Sequence, residues 1–161
     1  MTTYVVDTNV AIAANGRDTH ADLRCQRACI DWLEYLAAQG VVAVDEAGEI
    51  LNEYSGYLRH SGGPGMGDAF FRYLFNNLHQ VGRVHRVQVI RSDDDRRGFE
   101  ELPVNNFDRS DRKFLAVAVV AKAVVLNATD SDWAEHDALM EALEIQVDQL
   151  CPQHASKGAS R

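Results

Sequence analysis

The sequence predicts an α/β fold, a single domain with a mostly parallel central sheet of about four to five strands flanked by helices on both faces. Three observations lead to it. Short continuous apolar runs recur at Tyr4-Val5-Val6, Val41 to Val44 and Val124-Val125-Leu126, and strands that apolar belong in a sheet buried on both sides. Longer stretches between them carry apolar residues near 3.6 spacing, which marks helices packing one face. The two kinds of segment alternate along a chain of 161 residues, a length that fits one domain and lets roughly 70% of the unfolded surface be buried.

Taken in order, the first strand ends at Asp7-Thr8-Asn9, residues that favour turns and helix N-caps. Asn15 to Thr19 reads as a loop. A helix follows from about His20 to Gln39, where Leu23, Ala28, Cys29, Ile30, Trp32, Leu33, Tyr35 and Leu36 recur near 3.6 spacing, with Gly40 at its end. Val41 to Val44 is the second strand, closed by Asp45. Glu46 to Leu58 is helical through Ile50, Leu51, Tyr54 and Leu58. The segment His60 to Gly67 holds four glycines and a proline and reads as a surface loop. Asp68 to Gln80 is a helix with Phe70, Phe71, Leu74, Phe75 and Leu78 inward. Arg83 to Ile90 is an edge strand or extended loop, and Ser92 to Arg97 a charged turn. Asp108 to Ala121 is an apolar helix with an acidic start, which suits its dipole. The strand Val124 to Leu126, a helix over Asp132 to Leu143 and a last strand within Glu144 to Leu150 complete a domain over 1–150. Residues 151–161 are small and polar and are expected to form a flexible tail.

Composition narrows the function classes. Hydrophobic residues make up 46% and charged residues 25%, as in soluble globular proteins. The start has no basic region ahead of its apolar run, and Phe114 to Leu126 is too short and contains Lys122, so neither a secretory leader nor a membrane span is expected. Cys25, Cys29 and Cys151 are odd in number without a CxxC pair. Cys25 and Cys29 lie i,i+4 on a helix, where a shared metal is conceivable, but small buried residues are the simpler reading. Nothing in that pattern demands a disulfide, so the cytoplasm is the default compartment. The net charge of −8 argues against binding nucleic acid by phosphate neutralisation alone. Bound divalent cations would reverse the local field while the whole stays acidic.

The strand reading makes four carboxylates informative. Asp7 follows the first strand and Asp130 closely follows the third, so both belong at the carboxyl edge of a parallel sheet, where sites form. Glu53 lies on the helix after the second strand. Asp111 lies near the start of the helix before Val124. Converging carboxylates repel and raise each other's pKa, and a hard divalent cation removes that cost. An all-oxygen set without His or Cys suits Mg²⁺ or Mn²⁺, which activate water and stabilise a phosphodiester's leaving oxygen.

The motifs resemble those of the PIN domain family of metal-dependent ribonucleases. VVDTNV resembles the first, a strand ending in Asp with Asn two residues on. Ile50-Leu51-Asn52-Glu53-Tyr54 is similar to the helix with the second acid, Asp108 to Ala118 (DRSDRKFLAVA) to the third motif, and Asn127 to Trp133 (NATDSDW) to the last. The likeness runs over about residues 3 to 148. It implies Asp7, Glu53, Asp111 and Asp130 as the catalytic metal ligands, with Asp132 sharing the work of Asp130. It implies that Thr8 caps the turn, that Asn9 orients Asp7 or substrate, and that the Thr129 hydroxyl lies near metal or substrate. One metal or two is left open. Glu49 competes with Glu53, Asp108 competes with Asp111, and Asp132 also reads as a helix N-cap. Arg109 and Arg112 adjoin the third acid and are the candidates for phosphate contact, whereas Arg96 and Arg97 read as partners of Asp93 to Asp95. Tyr54 and Trp133 read as core.

The expected function is a Mg²⁺- or Mn²⁺-dependent endoribonuclease acting on RNA, and by extension the toxin of a toxin–antitoxin pair, a cytoplasmic homodimer with an antitoxin protein as partner. The competing reading is a catalytically silent PIN-fold module that binds proteins. A phosphatase with an Asp nucleophile ranks low, because that chemistry wants a second Asp where Asn9 stands.

Overall fold

The computed structural model describes residues 1–61 and 63–155. Five strands, β1 (Thr3–Val6), β2 (Val41–Asp45), β3 (Val84–Val87), β4 (Val124–Asn127) and β5 (Val147–Gln149), form one sheet in the order β3-β2-β1-β4-β5. Every pairing is parallel. Val5 and Val6 stand opposite Val125 and Leu126, all four fully buried. The chain steps outward from β1 to β3, then returns past β1 to build β4 and β5. Right-handed crossovers put the helices of those two halves on opposite faces. The reversal leaves a crevice beyond the carboxyl ends of β1 and β4.

Eight helices among the described residues flank the sheet: α1 (Thr8–Asn15), α2 (Leu23–Gln39), α3 (Glu49–Ser55), α4 (Met66–Asn76), α5 (Arg112–Ala121), α6 (Asp132–Glu135), α7 (Asp137–Ala142) and α8 (Pro152–Ala155). Helix α5 lies across β1 to β4, and α1, α2 and α4 pack on one another. Helix α1 has no amphipathic signature because Thr8, Val10, Ala11, Ala13 and Ala14 are all buried, so periodicity did not reveal it. It stops at Gly16, whose φ of 71° places it in the left-handed region. Helix α4 comes so close that a Cβ on Gly67 would lie 2.0 Å from the Ala11 carbonyl oxygen.

Several boundaries differ from expectation for local reasons. Helix α3 begins at Glu49, not Glu46, because the buried Asp45 carboxylate accepts the Glu49 and Ile50 amides at 2.8 and 2.9 Å. Helix α5 begins at Arg112, since Asp108 folds back to accept the Ser110 amide and hydroxyl, both at 2.9 Å. The helix expected over Asp132 to Leu143 breaks at His136, which takes a non-helical φ of −117° and ψ of 35°. Arg83 to Ile90 contains a true strand, β3, at the sheet edge.

The chain end departs most. Cys151 is fully buried and disulfide-bonded to Cys25, 126 residues away, and Pro152–Ala155 is a helical turn. The expected flexible tail therefore does not begin at 151; residues 156–161 lie outside the described residues. The reading of the cysteines as unpaired is corrected for Cys25 and Cys151, because β5 delivers Cys151 to the first turn of α2. Cys29 is free and buried, its thiol pushed up to about 12 by desolvation. Among the described residues no helix is long and apolar enough to cross a membrane.

Candidate metal centre

The crevice between β1 and β4 is lined by acids that come from three elements. Asp7 is the N-cap of α1, placed by β1 and locked to β4 by its amide, which donates to the Leu126 carbonyl at 3.1 Å. Asp111 stands at the N-cap of α5 without capping it, so its carboxylate is not spent on the helix. Asp130 sits in the turn after β4. A carboxylate oxygen from each of Asp7, Asp111 and Asp130 falls within 4.8 Å of the others, and Asp7 and Asp111 are buried.

That convergence perturbs the acids. Burial pushes the Asp7 carboxyl up to about 7, with the charges of Asp130 and Glu53 adding to it and the Trp133 hydrogen bond opposing it. Asp111 is pushed higher, to about 10, by burial first, then by Asp7 and Asp130, with which it also hydrogen-bonds. At neutral pH the isolated cluster therefore holds protons. A cation would displace them.

Two amide side chains hold the centre in shape. Asn9 Oδ1 accepts the Ala128 and Thr129 amides at 2.8 and 3.0 Å, and its Nδ2 donates to Asn127 Oδ1 at 2.9 Å. Asn127 Nδ2 in turn donates to the Asp130 carbonyl and to Gln149 Oε1, both at 2.7 Å. Asn9 thus fixes the turn that presents Asp130 and bridges the ends of β1 and β4. Asp7 is oriented by Trp133, whose indole Nε1 donates to Asp7 Oδ2 at 2.7 Å from a fully enclosed ring, and by the Asn9 backbone amide, which donates to Asp7 Oδ1 at 3.5 Å.

Glu53 is not part of the trio. Its Oε1 accepts Lys113 Nζ at 2.7 Å and its Oε2 accepts the Thr8 hydroxyl. It lies near enough for its charge to act on Asp7. Glu49 pairs with Arg91 on the surface. Tyr54, next to Glu53, donates its hydroxyl to the Val6 carbonyl and so pins α3 under the end of β1.

Asp132 also stands outside the trio. It accepts the Asp108 amide at 3.2 Å and lies 3.1 Å from His136, so it ties α6 to the approach of α5. Thr129 is nearly buried, its amide held by Asn9. Arg109 is exposed at the turn before α5. Arg112 is corrected as a phosphate contact: it is buried, and its guanidinium donates to Asn105 Oδ1 and to the carbonyls of Asp95, Arg96 and Asn105 at 2.8 to 3.3 Å. It staples the loop after β3 to α5. Arg96 pairs with Asp94 as expected, and Arg97 pairs with Glu100.

Three contributors escaped sequence reasoning: the Trp133 N–H, the Asn127 amide and the Lys113 ammonium. A tryptophan three residues after Asp130, with a buried ring whose N–H needs an acceptor, was the available signal for the first. The donor set of the trio is carboxylate oxygen throughout, which fits Mg²⁺ or Mn²⁺ rather than a soft ion. The chain matches no model of a known protein family and no curated protein.

Proposed function

We propose that this chain is a metal-dependent endoribonuclease that hydrolyses RNA phosphodiester bonds, as the PIN-like motifs imply, with Mg²⁺ or Mn²⁺ held by Asp7, Asp111 and Asp130, the three of the implied acids that converge. The observation that supports it is the convergence of those three carboxylates, from distant parts of the chain, within 4.8 Å at the reversal point of a parallel sheet. A divalent ion bound there supplies Lewis-acid polarisation and a water of lowered pKa. The chain does the positioning. Trp133 and the Asn9 amide direct the Asp7 carboxylate, Asn9 and Asn127 hold the Asp130 turn, and Lys113 neutralises Glu53 beside the centre. The exposed Arg109 supplies positive charge for the RNA backbone next to Asp111.

The reading extends to a toxin of a toxin–antitoxin pair, acting in the cytoplasm as a homodimer and restrained by an antitoxin protein. Growth arrest on expression, relieved by a neighbouring gene, tests that extension. A second reading, a silent PIN-fold module that binds proteins, draws on the commitment of Glu53 to Lys113 and Thr8. The deciding assay is cleavage of single-stranded and hairpin RNA with Mg²⁺ or Mn²⁺. Asp7→Asn is expected to lower the rate by about 10²–10³-fold, several kcal/mol of transition-state stabilisation. Cleavage that survives this variant, or that survives a chelator, refutes the nuclease reading.

A further inference from the structure

A second cluster of metal-binding side chains lies away from the acids, between the first turns of α2 and the chain end. Cys25 and Cys29 are one helical turn apart on α2, and Cys151 follows β5. Their three sulfurs lie within 4.8 Å of one another, and all three residues are buried. One turn beyond Cys151, on α8, His154 reaches back to the same end of α2. Its Nε2 accepts the Asp22 amide at 3.3 Å, and Asp22 in turn caps the Cys25 amide at 2.8 Å. The chain therefore carries Cys-x₃-Cys on one element and Cys-x₂-His on another; the three sulfurs converge, and His154 lies outside their group, its ring held at Asp22.

A disulfide needs two cysteines, and this site has three. The third is a buried free thiol beside the bond. Three sulfurs and one imidazole make the usual ligand count of a structural zinc site. Zinc–sulfur bonds of about 2.3 Å in a tetrahedron set the sulfurs about 3.8 Å apart. The three sulfurs already lie within 4.8 Å of one another, so opening the Cys25–Cys151 bond and turning the His154 ring from Asp22 would complete the set.

We propose that the reduced chain binds one Zn²⁺ through Cys25, Cys29, Cys151 and His154. The site and the disulfide are alternative clamps between α2 and the chain end. A thiol reductant delivers two electrons and two protons to the Cys25–Cys151 bond, giving two thiols and leaving as its own disulfide. Zinc then displaces the three thiol protons and takes one imidazole nitrogen. Oxidation reverses this: with Cys25 and Cys151 rejoined, Cys29 and His154 alone do not hold the ion. The proposal is independent of the nuclease reading, since it uses none of the acids.

The test is titration of the full chain, reduced with a phosphine, first with Co²⁺ and then with Zn²⁺. One equivalent of Co²⁺ is expected to give thiolate-to-metal charge transfer and the visible bands of a tetrahedral ion, and Zn²⁺ should bleach both. The oxidised chain should show neither. Cys29→Ser, whose folding is verified in the oxidised form with its disulfide intact, should lose the charge-transfer band at one equivalent. His154→Ala should weaken binding about tenfold or more. Asp7→Asn should leave the spectrum unchanged. Absence of the band in the reduced wild-type chain, folded or unfolded, overturns the proposal, as does a band that Cys29→Ser retains or Asp7→Asn removes. Unchanged affinity in His154→Ala removes His154 from the site.

Discussion

The acid cluster beyond β1 and β4 and the sulfur cluster between α2 and α8 solve one problem with opposite chemistry. Each gathers three groups that become anions, and each buries them where an anion is penalised. In the acid cluster burial and mutual repulsion push Asp7 and Asp111 upward; in the sulfur cluster burial pushes Cys29 upward. The outlets differ. Two thiols can leave the problem covalently, as Cys25 and Cys151 do. Carboxylates have no such exit and must hold protons or take a cation. Oxygen donors suit hard ions, while sulfur can form either a covalent bond or a soft-ion complex. The surroundings follow the same division. Hydrogen bonds from Trp133, Asn9 and Asn127 brace the acids in a crevice, whereas the sulfurs sit in the hydrophobic core.

The largest expected effect separates the two clusters by stability. Closing a loop of 126 residues is worth about 5 kcal/mol in the chain-entropy picture, an upper figure. Reduction together with chelation should lower the urea-unfolding free energy by about 3–5 kcal/mol without touching the acids. A loss under 1 kcal/mol would mean that the chain end is held by packing alone.

A smaller effect, of a few kcal/mol, comes from pH acting on the acids. The folded pKa values of Asp7 and Asp111 lie above the ordinary 3.8, so the folded state prefers their protonated forms. In the chelated protein the stability contributed by these two acids is full below about pH 4. It should fall as pH rises through about 7, the value for Asp7, and continue to fall toward that of Asp111. Added Mn²⁺ should flatten this slope by replacing the protons. Thermal melts at several pH values, with and without Mn²⁺, measure it; a melting temperature that rises from pH 5 to 8 in chelator contradicts the cluster.

The smallest sharpens how the acids are held. Asn9→Ala removes the acceptor for the Ala128 and Thr129 amides and should weaken Mn²⁺ binding about 10–100-fold, as loss of an outer support does. Calorimetry would report it, and binding equal to the wild type would show that the turn holds Asp130 unaided.

The sequence displayed some of this and concealed the rest for physical reasons. Asp7 and Asp130 were legible because each closes an apolar strand, and strand ends in a parallel sheet share an edge. Asp111 was legible as a helix-opening acid, but its separation from Asp108 needed the turn in which Asp108 binds the Ser110 amide. The partners were not legible. Lys113 meets Glu53 across 60 residues and Trp133 meets Asp7 across 126, and no local pattern encodes such pairings. Asn9 was expected to orient Asp7 or substrate; its backbone amide meets Asp7, while its side chain serves the turn of Asp130, because the register of β1 against β4 carries it there. Helix α1 was hidden because burial on every side erases periodicity. The Cys25–Cys151 bond was hidden because connectivity is a property of the fold and not of the count.

The most direct test of the central claim, that Asp7, Asp111 and Asp130 form one hard-metal site, is calorimetric titration of Mn²⁺ into the wild-type chain and into Asp111→Asn. The account predicts binding at millimolar Mn²⁺ or tighter in the wild type. It predicts loss of that binding in Asp111→Asn, which should stay folded and melt no lower in chelator, since it removes a charge that burial opposes. Equal Mn²⁺ binding by the two proteins, or none by the wild type, would contradict it.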